Sequence, residues 1–367
     1  MDIKITGIGH YLPDRIETSK ELSSKINKSE DWIISRTGVK ERRVSDIDVD
    51  KMGAKAAKIA LEESNVKPDL ILNASGVGKQ IIPDTSVFFQ KELGLKGIPT
   101  FSIHATCLSF LVALHTAANF IQQKSYERIL IISSDRGTRG RNFNQPESSS
   151  LLGDAAAAII IEKTPKDENS KLIDYKMETW SDGSSLTEVR GGGTNLHPQD
   201  KNTTLDDNLF SMNGPMIYKM ARKKVYDRIK NDLKRNNLTQ NNIDLLIPHQ
   251  ASGLAVKAYS KYGGFEKNKV MDIIDFTGNC VAASIPLALS LAYNNNQINR
   301  EDLLYFIGTG AGLSIGSLIL KSPDNTLVPP NGSPFLNAFT LSEPSLVIVI
   351  FCQEPVVRSL PPDSVKL

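Results

Sequence analysis

The stretch Phe101-Ser-Ile-His-Ala-Thr-Cys-Leu-Ser-Phe-Leu-Val-Ala-Leu-His-Thr-Ala-Ala-Asn-Phe120 is a short apolar strand running into a long apolar helix. Gly278-Asn-Cys-Val-Ala-Ala-Ser-Ile-Pro-Leu-Ala-Leu289 repeats its plan in the second half of the chain. Two further pairs of segments follow the same rule. Asp69-Leu-Ile-Leu-Asn-Ala-Ser-Gly76 lines up with Asp244-Leu-Leu-Ile-Pro-His-Gln-Ala-Ser-Gly253, and Arg128-Ile-Leu-Ile-Ile132 with Asp302-Leu-Leu-Tyr-Phe306. Matching Asp69 to Asp244, Cys107 to Cys280 and Arg128 to Asp302 gives offsets of 175, 173 and 174. A common offset over three separate segments is the mark of internal duplication. Each half closes on a small-residue apolar run, Gly153-Asp-Ala-Ala-Ala-Ala-Ile-Ile-Ile161 and Gly312-Leu-Ser-Ile-Gly-Ser-Leu-Ile-Leu320. Runs that stay apolar without alternating belong to strands covered on both faces, so each half reads as strands and helices in an α/β layer. Two such halves packed face to face would bring the loops at equivalent strand ends to one centre, where α/β folds place their chemistry.

The chain has 367 residues and 40% hydrophobic content, enough for one large core or two fused ones. A formal charge of +2 leaves no general bias toward polyanions, which argues against nucleic acid as a partner. Cys107, Cys280 and Cys352 are an odd number without metal-knuckle spacing, which speaks against a disulfide framework and for a reducing cytoplasm. The N-terminus shows no leader pattern and no run is long enough to span a membrane.

Along the chain, Thr18-Ser-Lys-Glu21 has the form of a capping box. Ser29 to Gly38 reads as a short helix closed by glycine, and Met52 to Glu63 as a longer amphipathic one. Residues 162–206 are polar and glycine-rich and read as the join between halves. A helix over Pro215 to Leu233 carries Lys219, Arg222, Lys223, Lys224, Arg228 and Lys230. That is either a solvated face or a landing site for an acidic carrier. The expected division is 1–165, 166–322 and an appended tail, 323–367, with the composition of a poorly ordered segment.

Cys107 falls at the entry of a helix, where free N–H groups and the dipole favour a thiolate. A free thiol near pKa ~8.5 is only roughly 3% ionised at pH 7, and reaching half requires about 2 kcal/mol. Alone, a cysteine in an apolar segment is most often simply packed. The remaining chemistry-bearing residues change that balance. Of the five histidines, His249 ends the apolar strand Asp244-Leu-Leu-Ile-Pro-His249, at the end where an active site is expected. Asn279 opens the helix that corresponds to the Cys107 helix, where its amide can donate beside His249. His10, His104, His115 and His197 lie in less telling places. His104 with Cys107 does not make a metal site, and no metal is expected. Gly308-Thr-Gly-Ala-Gly312 looks like a dinucleotide loop but leads into a strand rather than a helix. Gly76-Val-Gly-Lys79 lacks phosphate-loop spacing. No cofactor is implied.

At these residues the sequence resembles β-ketoacyl-acyl carrier protein synthase III, a thiolase-like condensing enzyme, over roughly residues 1–321. The resemblance rests on Asp31-Trp-Ile-Ile-Ser-Arg-Thr-Gly-Val-Lys-Glu-Arg42, Met212-Asn-Gly214 with Tyr218-Lys219, Pro248-His-Gln-Ala251, Gly278-Asn279 with Ala282-Ala-Ser-Ile-Pro286, and the glycines of Gly308 to Gly312. It implies a duplicated five-layer αβαβα fold, a homodimer, and a triad of Cys107, His249 and Asn279. The backbone N–H groups of Cys107 and Gly312 would form the oxyanion hole. It further implies acyl-CoA and an acyl carrier protein as partners. Trp32 and Arg36 would hold the CoA adenine, and Gly214 and Tyr218 would line the pantetheine tunnel. The sequence departs from the family at Leu108, beside the nucleophile, at Ser252, where an asparagine contacts pantetheine, and at Leu254, where a basic residue is usual. The segment Asp135 to Glu147 is also unlike the housekeeping enzymes. These departures point to a specialised paralogue. The chemistry expected is acyl transfer to Cys107 followed by decarboxylative condensation with a malonyl thioester. The alternatives are acyl transfer to an alcohol or amine, non-decarboxylative joining of two acyl chains, and a non-catalytic partner subunit.

Overall fold

A computed structural model describes residues 1–322; the tail expected over 323–367 lies outside the described residues. The first half runs β1 (Ile3–Tyr11), β2 (Ile16–Thr18), α1 (Ser19–Ile26), α2 (Glu30–Thr37), β3 (Glu41–Arg43), α3 (Val49–Ser64), β4 (Leu70–Asn73), α4 (Thr85–Glu92), β5 (Thr100–Ser102), α5 (Ser109–Gln122), β6 (Arg128–Arg136), α6 (Pro146–Ser149) and β7 (Asp154–Lys163). The second runs β8 (Lys171–Gly183), β9 (Thr187–Glu188), β10 (Ser211–Met212), α7 (Gly214–Arg235), β11 (Leu245–Pro248), α8 (Gly253–Gly263), α9 (Ile274–Thr277), α10 (Ser284–Asn294), β12 (Leu303–Gly310) and β13 (Gly312–Lys321).

The two main sheets have one topology. The first is ordered β1-β7-β6-β4-β5 and the second β8-β13-β12-β11. In both, the pairing is antiparallel, antiparallel and then parallel. The counterpart of β5 is reduced to one parallel bridge, Leu246 with Val270. Strand faces are sorted by the period of two. In β6, Ile129 and Ile131 face the core shared by the two halves, while Leu130 and Ile132 meet α3 and its neighbours. In β12, Leu304 and Phe306 face the shared core and Tyr305 and Ile307 face α7 and α8. The central layer is α5 and α10, whose Phe110, Leu111, Leu114, Ile285 and Leu289 join that same core. Helix, sheet, helix pair, sheet and helix are the five layers.

The caps read from sequence are present. Thr18 and Glu21 form the capping box of α1, and Gly38 closes α2 at φ 79°. Two expectations are corrected. The polar stretch before residue 206 contains β8, a strand of 13 residues. Among the described residues it pairs only with β13, and just two of its 13 residues are buried, so it shows no apolar run. Arg228 does not belong to the basic face of α7. It is buried and bonded to Asp232 and Glu178, whereas Lys219, Arg222, Lys223 and Lys230 are exposed. Among the described residues no helix is long and apolar enough to cross a membrane.

Phe306 is fully buried at the centre of β12. Truncation to alanine is expected to cost about 3–5 kcal/mol, through lost burial and the cavity left behind. Urea unfolding of Phe306→Ala against the parent checks this.

Candidate active site

The duplication holds a constant register of 175 once backbone conformation is followed. Thr106 and Val281 both sit at φ 51°, a left-handed value uncommon for β-branched residues. Ala105 N–H donates to Ser109 Oγ at 2.9 Å, and Cys280 N–H to Ser284 Oγ at 3.0 Å. Short 3-10 turns, Thr106–Leu108 and Val281–Ala283, follow these strained residues and open α5 and α10. The counterpart of Cys107 is therefore Ala282, not Cys280 or Asn279. Cys280 occupies the place of Ala105, is fully buried, and its thiol lies 3.5 Å from the Thr277 carbonyl oxygen.

The turn carrying Cys107 is seated on the second-half hairpin. Thr106 Oγ1 accepts from Ala311 N–H at 3.1 Å, across the boundary between halves. A Cβ at Gly310 would come within 2.6 Å of that oxygen, so only glycine fits there. Leu108 is fully buried against the same hairpin; Cβ atoms built on Gly308, Gly310 and Gly316 would lie 3.1–3.4 Å from it. Its side chain is taken up in the core. The Cβ built on Gly308 would also lie 2.9 Å from His249 Cβ, so His249 and Leu108, the neighbour of Cys107, flank one glycine.

His249 leaves the end of β11 with its N–H on the Ile307 carbonyl at 2.8 Å. It is 4% exposed, its Nδ1 has no hydrogen-bond partner, and burial pushes its pKa down to about 4. The ring is neutral at pH 7. An unpartnered buried polar atom costs about 1–3 kcal/mol, which a substrate group can recover. Asn279 is oriented by its own turn. Its Oδ1 accepts from Val281 N–H at 2.9 Å, which fixes the amide and directs Nδ2 to the Ala251 carbonyl at 3.4 Å, two residues past His249. The backbone of Asn279 is tied to Leu151 and Gly153 at 2.8 and 3.0 Å.

The thiolate expected from the helix entry is not the resting form. Burial pushes the Cys107 thiol up to about 12, and the Asp135 carboxylate adds to the rise; only the residue's own backbone N–H acts the other way. Desolvation outweighs the helix-terminus field here. Asp135 itself was not singled out by the sequence reading. It is fully buried at the end of β6 and accepts from the N–H groups of Gly76, Val77 and Ala283. A lone acid following the apolar run Ile129 to Ile132 and two serines is the signal that marks it.

The residues expected to bind CoA fall on three neighbouring helices, α2, α8 and α7. Trp32 is half-buried on α2 with the Lys28 ammonium 5.4 Å from its ring centroid, and Arg36 is exposed one turn on. α2 meets α8 at Gly38 and Gly253, where a Cβ on either would fall within 2.8 Å of the other's Cα. Ser252 caps α8, its Oγ accepting from Ala255 N–H at 3.3 Å, with Leu254 exposed beside it. Gly214 and exposed Tyr218 occupy the first turns of α7. Gly312 starts β13; the hairpin N–H that reaches the turn carrying Cys107 belongs to its neighbour, Ala311.

Two family models match the chain. One, described as 3-oxoacyl-[acyl-carrier-protein (ACP)] synthase III, covers residues 101–181 with Cys107. The other, for the C terminal of the same synthase, covers 233–322 with His249 and Asn279. The β-ketoacyl-[acyl-carrier-protein] synthase III of Vesicomyosocius okutanii is 33% identical over 322 residues, 87% of this chain and 98% of that protein. The chain belongs to the β-ketoacyl-acyl carrier protein synthase III family. The synthase III of Clostridium acetobutylicum is 32% identical over 324 residues, again 87% of this chain and 98% of the relative. The crystal structure of the Aquifex aeolicus enzyme is 29% identical, covers 87% of this chain and 99% of its own, and superposes with a TM-score of 0.79. The architecture described above is thus the thiolase-like fold of the synthase III family, and the protein is a condensing acyltransferase.

A neutral resting thiol has a measurable consequence. Below its pKa an acid is protonated, so the thiolate fraction of Cys107 should rise about tenfold per pH unit between about pH 7 and pH 9. Alkylation of the Cys107 peptide by a neutral haloacetamide, followed by mass spectrometry, should track that slope. A plateau below pH 8 would show an ionised sulfur at rest.

Proposed function

We propose that the protein transfers an acyl group from acyl-CoA to Cys107 Sγ and then condenses it with a malonyl thioester. In the first step the sulfur attacks the thioester carbonyl while His249 accepts its proton. The C–S bond to CoA breaks, and the proton passes to the departing CoA sulfur. Protonation of a histidine with so low a pKa is tolerated only while the new thiolate lies beside it, so proton transfer and attack are coupled. The backbone N–H groups of Cys107 and Gly312 would hold the thioester oxyanion. In the second step the malonyl carboxylate leaves as CO2, and its electron pair moves into an enolate whose oxygen is held by an N–H of neutral His249 and by Asn279 Nδ2. The carbanion attacks the acyl carbon, the bond to Cys107 breaks, and the thiolate takes up a proton from solvent. The observation that carries this reading is the pairing of a neutral, unpartnered His249 with an Asn279 amide pinned at its oxygen, two donors and no cation for a developing enolate.

Trp32 and Arg36 on α2 and Ser252 on α8 would receive the nucleotide end of CoA, with Gly214 and Tyr218 beside the pantetheine. Leu108 would act from within the core, by setting how close the hairpin glycines approach the nucleophile turn. The exposed cations Lys219, Arg222 and Lys223 at the start of α7 would attract an acidic acyl carrier protein, making carrier transfer salt-dependent. The proposed assembly is a homodimer through the first-half sheet. β5 is an edge strand carrying exposed Phe101, and the loop beside it bears Ile81 and Ile82, 75% and 82% exposed. An unpaired edge beside exposed apolar side chains is a pairing surface. Sedimentation of Ile82→Asp with Phe101→Asp is expected to give a monomer where the parent sediments as a dimer.

The deciding experiment is intact-protein mass after incubation with short, medium and long acyl-CoAs. The parent should gain the acyl mass and Cys107→Ala should not; labelling unchanged in that variant would remove Cys107 from its role. In His249→Ala, acylation is expected to persist more slowly while CO2 release from the malonyl thioester falls by about 10²-fold or more. Product formed without CO2 would instead indicate a non-decarboxylative transfer.

A further inference from the structure

The two helix entries related by the duplication are treated differently by their sheets. The strand-end residue facing the α10 entry is Asp135, and its counterpart at the α5 entry, 175 residues on, is Gly310. Asp135 fills its site. Its Oδ1 accepts from Gly76 N–H and Val77 N–H, both at 2.9 Å, and its Oδ2 from Ala283 N–H at 3.2 Å. These donors come from two separate segments, the loop after β4 and the turn that opens α10. Gly310 places no side chain at the α5 entry, and a Cβ there would strike Thr106 Oγ1.

The turn held by Asp135 is the one that fixes Asn279. Val281, held at φ 51°, donates its N–H to Asn279 Oδ1, and Ala283 two residues later donates to Asp135. The loop held at the other side of the carboxylate contains Gly76, where a Cβ would come within 2.4 Å of Val281 Cγ1. One buried carboxylate thus clamps Val281 from both directions. The amide of Asn279 takes its orientation from the N–H that Val281 presents.

We propose that Asp135 is a positioning residue for the enolate-forming step, acting through Val281 on the orientation of the Asn279 amide. The inference rests on the reading of Asn279 as an enolate donor. Without the acceptor oxygens that Asp135 presents to Gly76, Val77 and Ala283, the Val281–Ala283 turn relaxes from its strained conformation and the amide loses its fixed direction. Acyl transfer to Cys107 makes no use of that amide.

The test measures both half-reactions in full-length Asp135→Asn, Asn279→Ala and the double variant. The readouts are the rate of acyl mass gain on Cys107 and CO2 release from a malonyl thioester per acylated site. For Asp135→Asn, CO2 release per acylated site is expected to fall about 10- to 100-fold in kcat with KM within about twofold of the parent, while acylation stays at or above the parent rate because a charge that raises the Cys107 pKa is gone. In the Asn279→Ala background the same substitution is expected to change CO2 release by less than about twofold, because its route of action is gone. Equal loss in both half-reactions, or full additivity in the double variant, overturns the proposal. If Asp135→Asn does not fold, Asp135→Ser is measured in the same way; misfolding of both, with Asn279→Ala folded, assigns Asp135 to the fold alone and also overturns it. No effect of Asn279→Ala on CO2 release would overturn the reading of Asn279 itself, a result distinct from an inert Asp135.

Discussion

Two helices buried between two sheets each present unsatisfied N–H groups at their entries, and water cannot reach them freely. How those donors are satisfied governs the rest of the molecule. At the α10 entry a carboxylate grown from the neighbouring sheet answers them, and the price is a buried charge whose pKa burial raises to about 7. At the α5 entry the corresponding strand end is glycine, and the turn carrying Cys107 is instead tied to the opposite half through Thr106 and Ala311. The duplicated fold therefore makes two equivalent geometries and fills only one of them with its own side chain. The other receives no side chain from its strand end.

Much of the architecture was legible because buried strands leave a plain trace. Leu130 to Ile132 and Ala156 to Ile161 are apolar without alternation, and they form the centre of the first sheet. β8 escaped because an edge strand with few buried side chains has the composition of a loop. The repeat was visible but misregistered. Matching Cys107 with Cys280 aligned like residues, whereas the register is carried by backbone features, the left-handed Thr106 and Val281 and the serines that accept from the turns before them.

The positions of Cys107, His249 and Asn279 in the fold followed from one rule, that helix entries and strand ends meet at a centre. What the rule does not supply is the balance of electrostatics there. The thiolate expectation considered the helix entry alone, and it missed the desolvation and the nearby carboxylate that together raise the pKa. Asp135 stood in the sequence inside a segment noted only for being unusual. Likewise the composition of residues 215–233 showed six cations, but burial removes Arg228 from the solvent face of α7 and pairs it with Asp232.

The burial that keeps the Cys107 sulfur protonated also bears on how long the protein survives. Peroxides and other oxidants attack the thiolate, and damage climbs from sulfenic acid to forms that cannot be reversed. A sulfur held protonated offers oxidants little to react with. Cys280, fully buried with its thiol against the Thr277 carbonyl, is shielded by inaccessibility instead. The two thiols are thereby protected by different means, one by its protonation and the other by its enclosure.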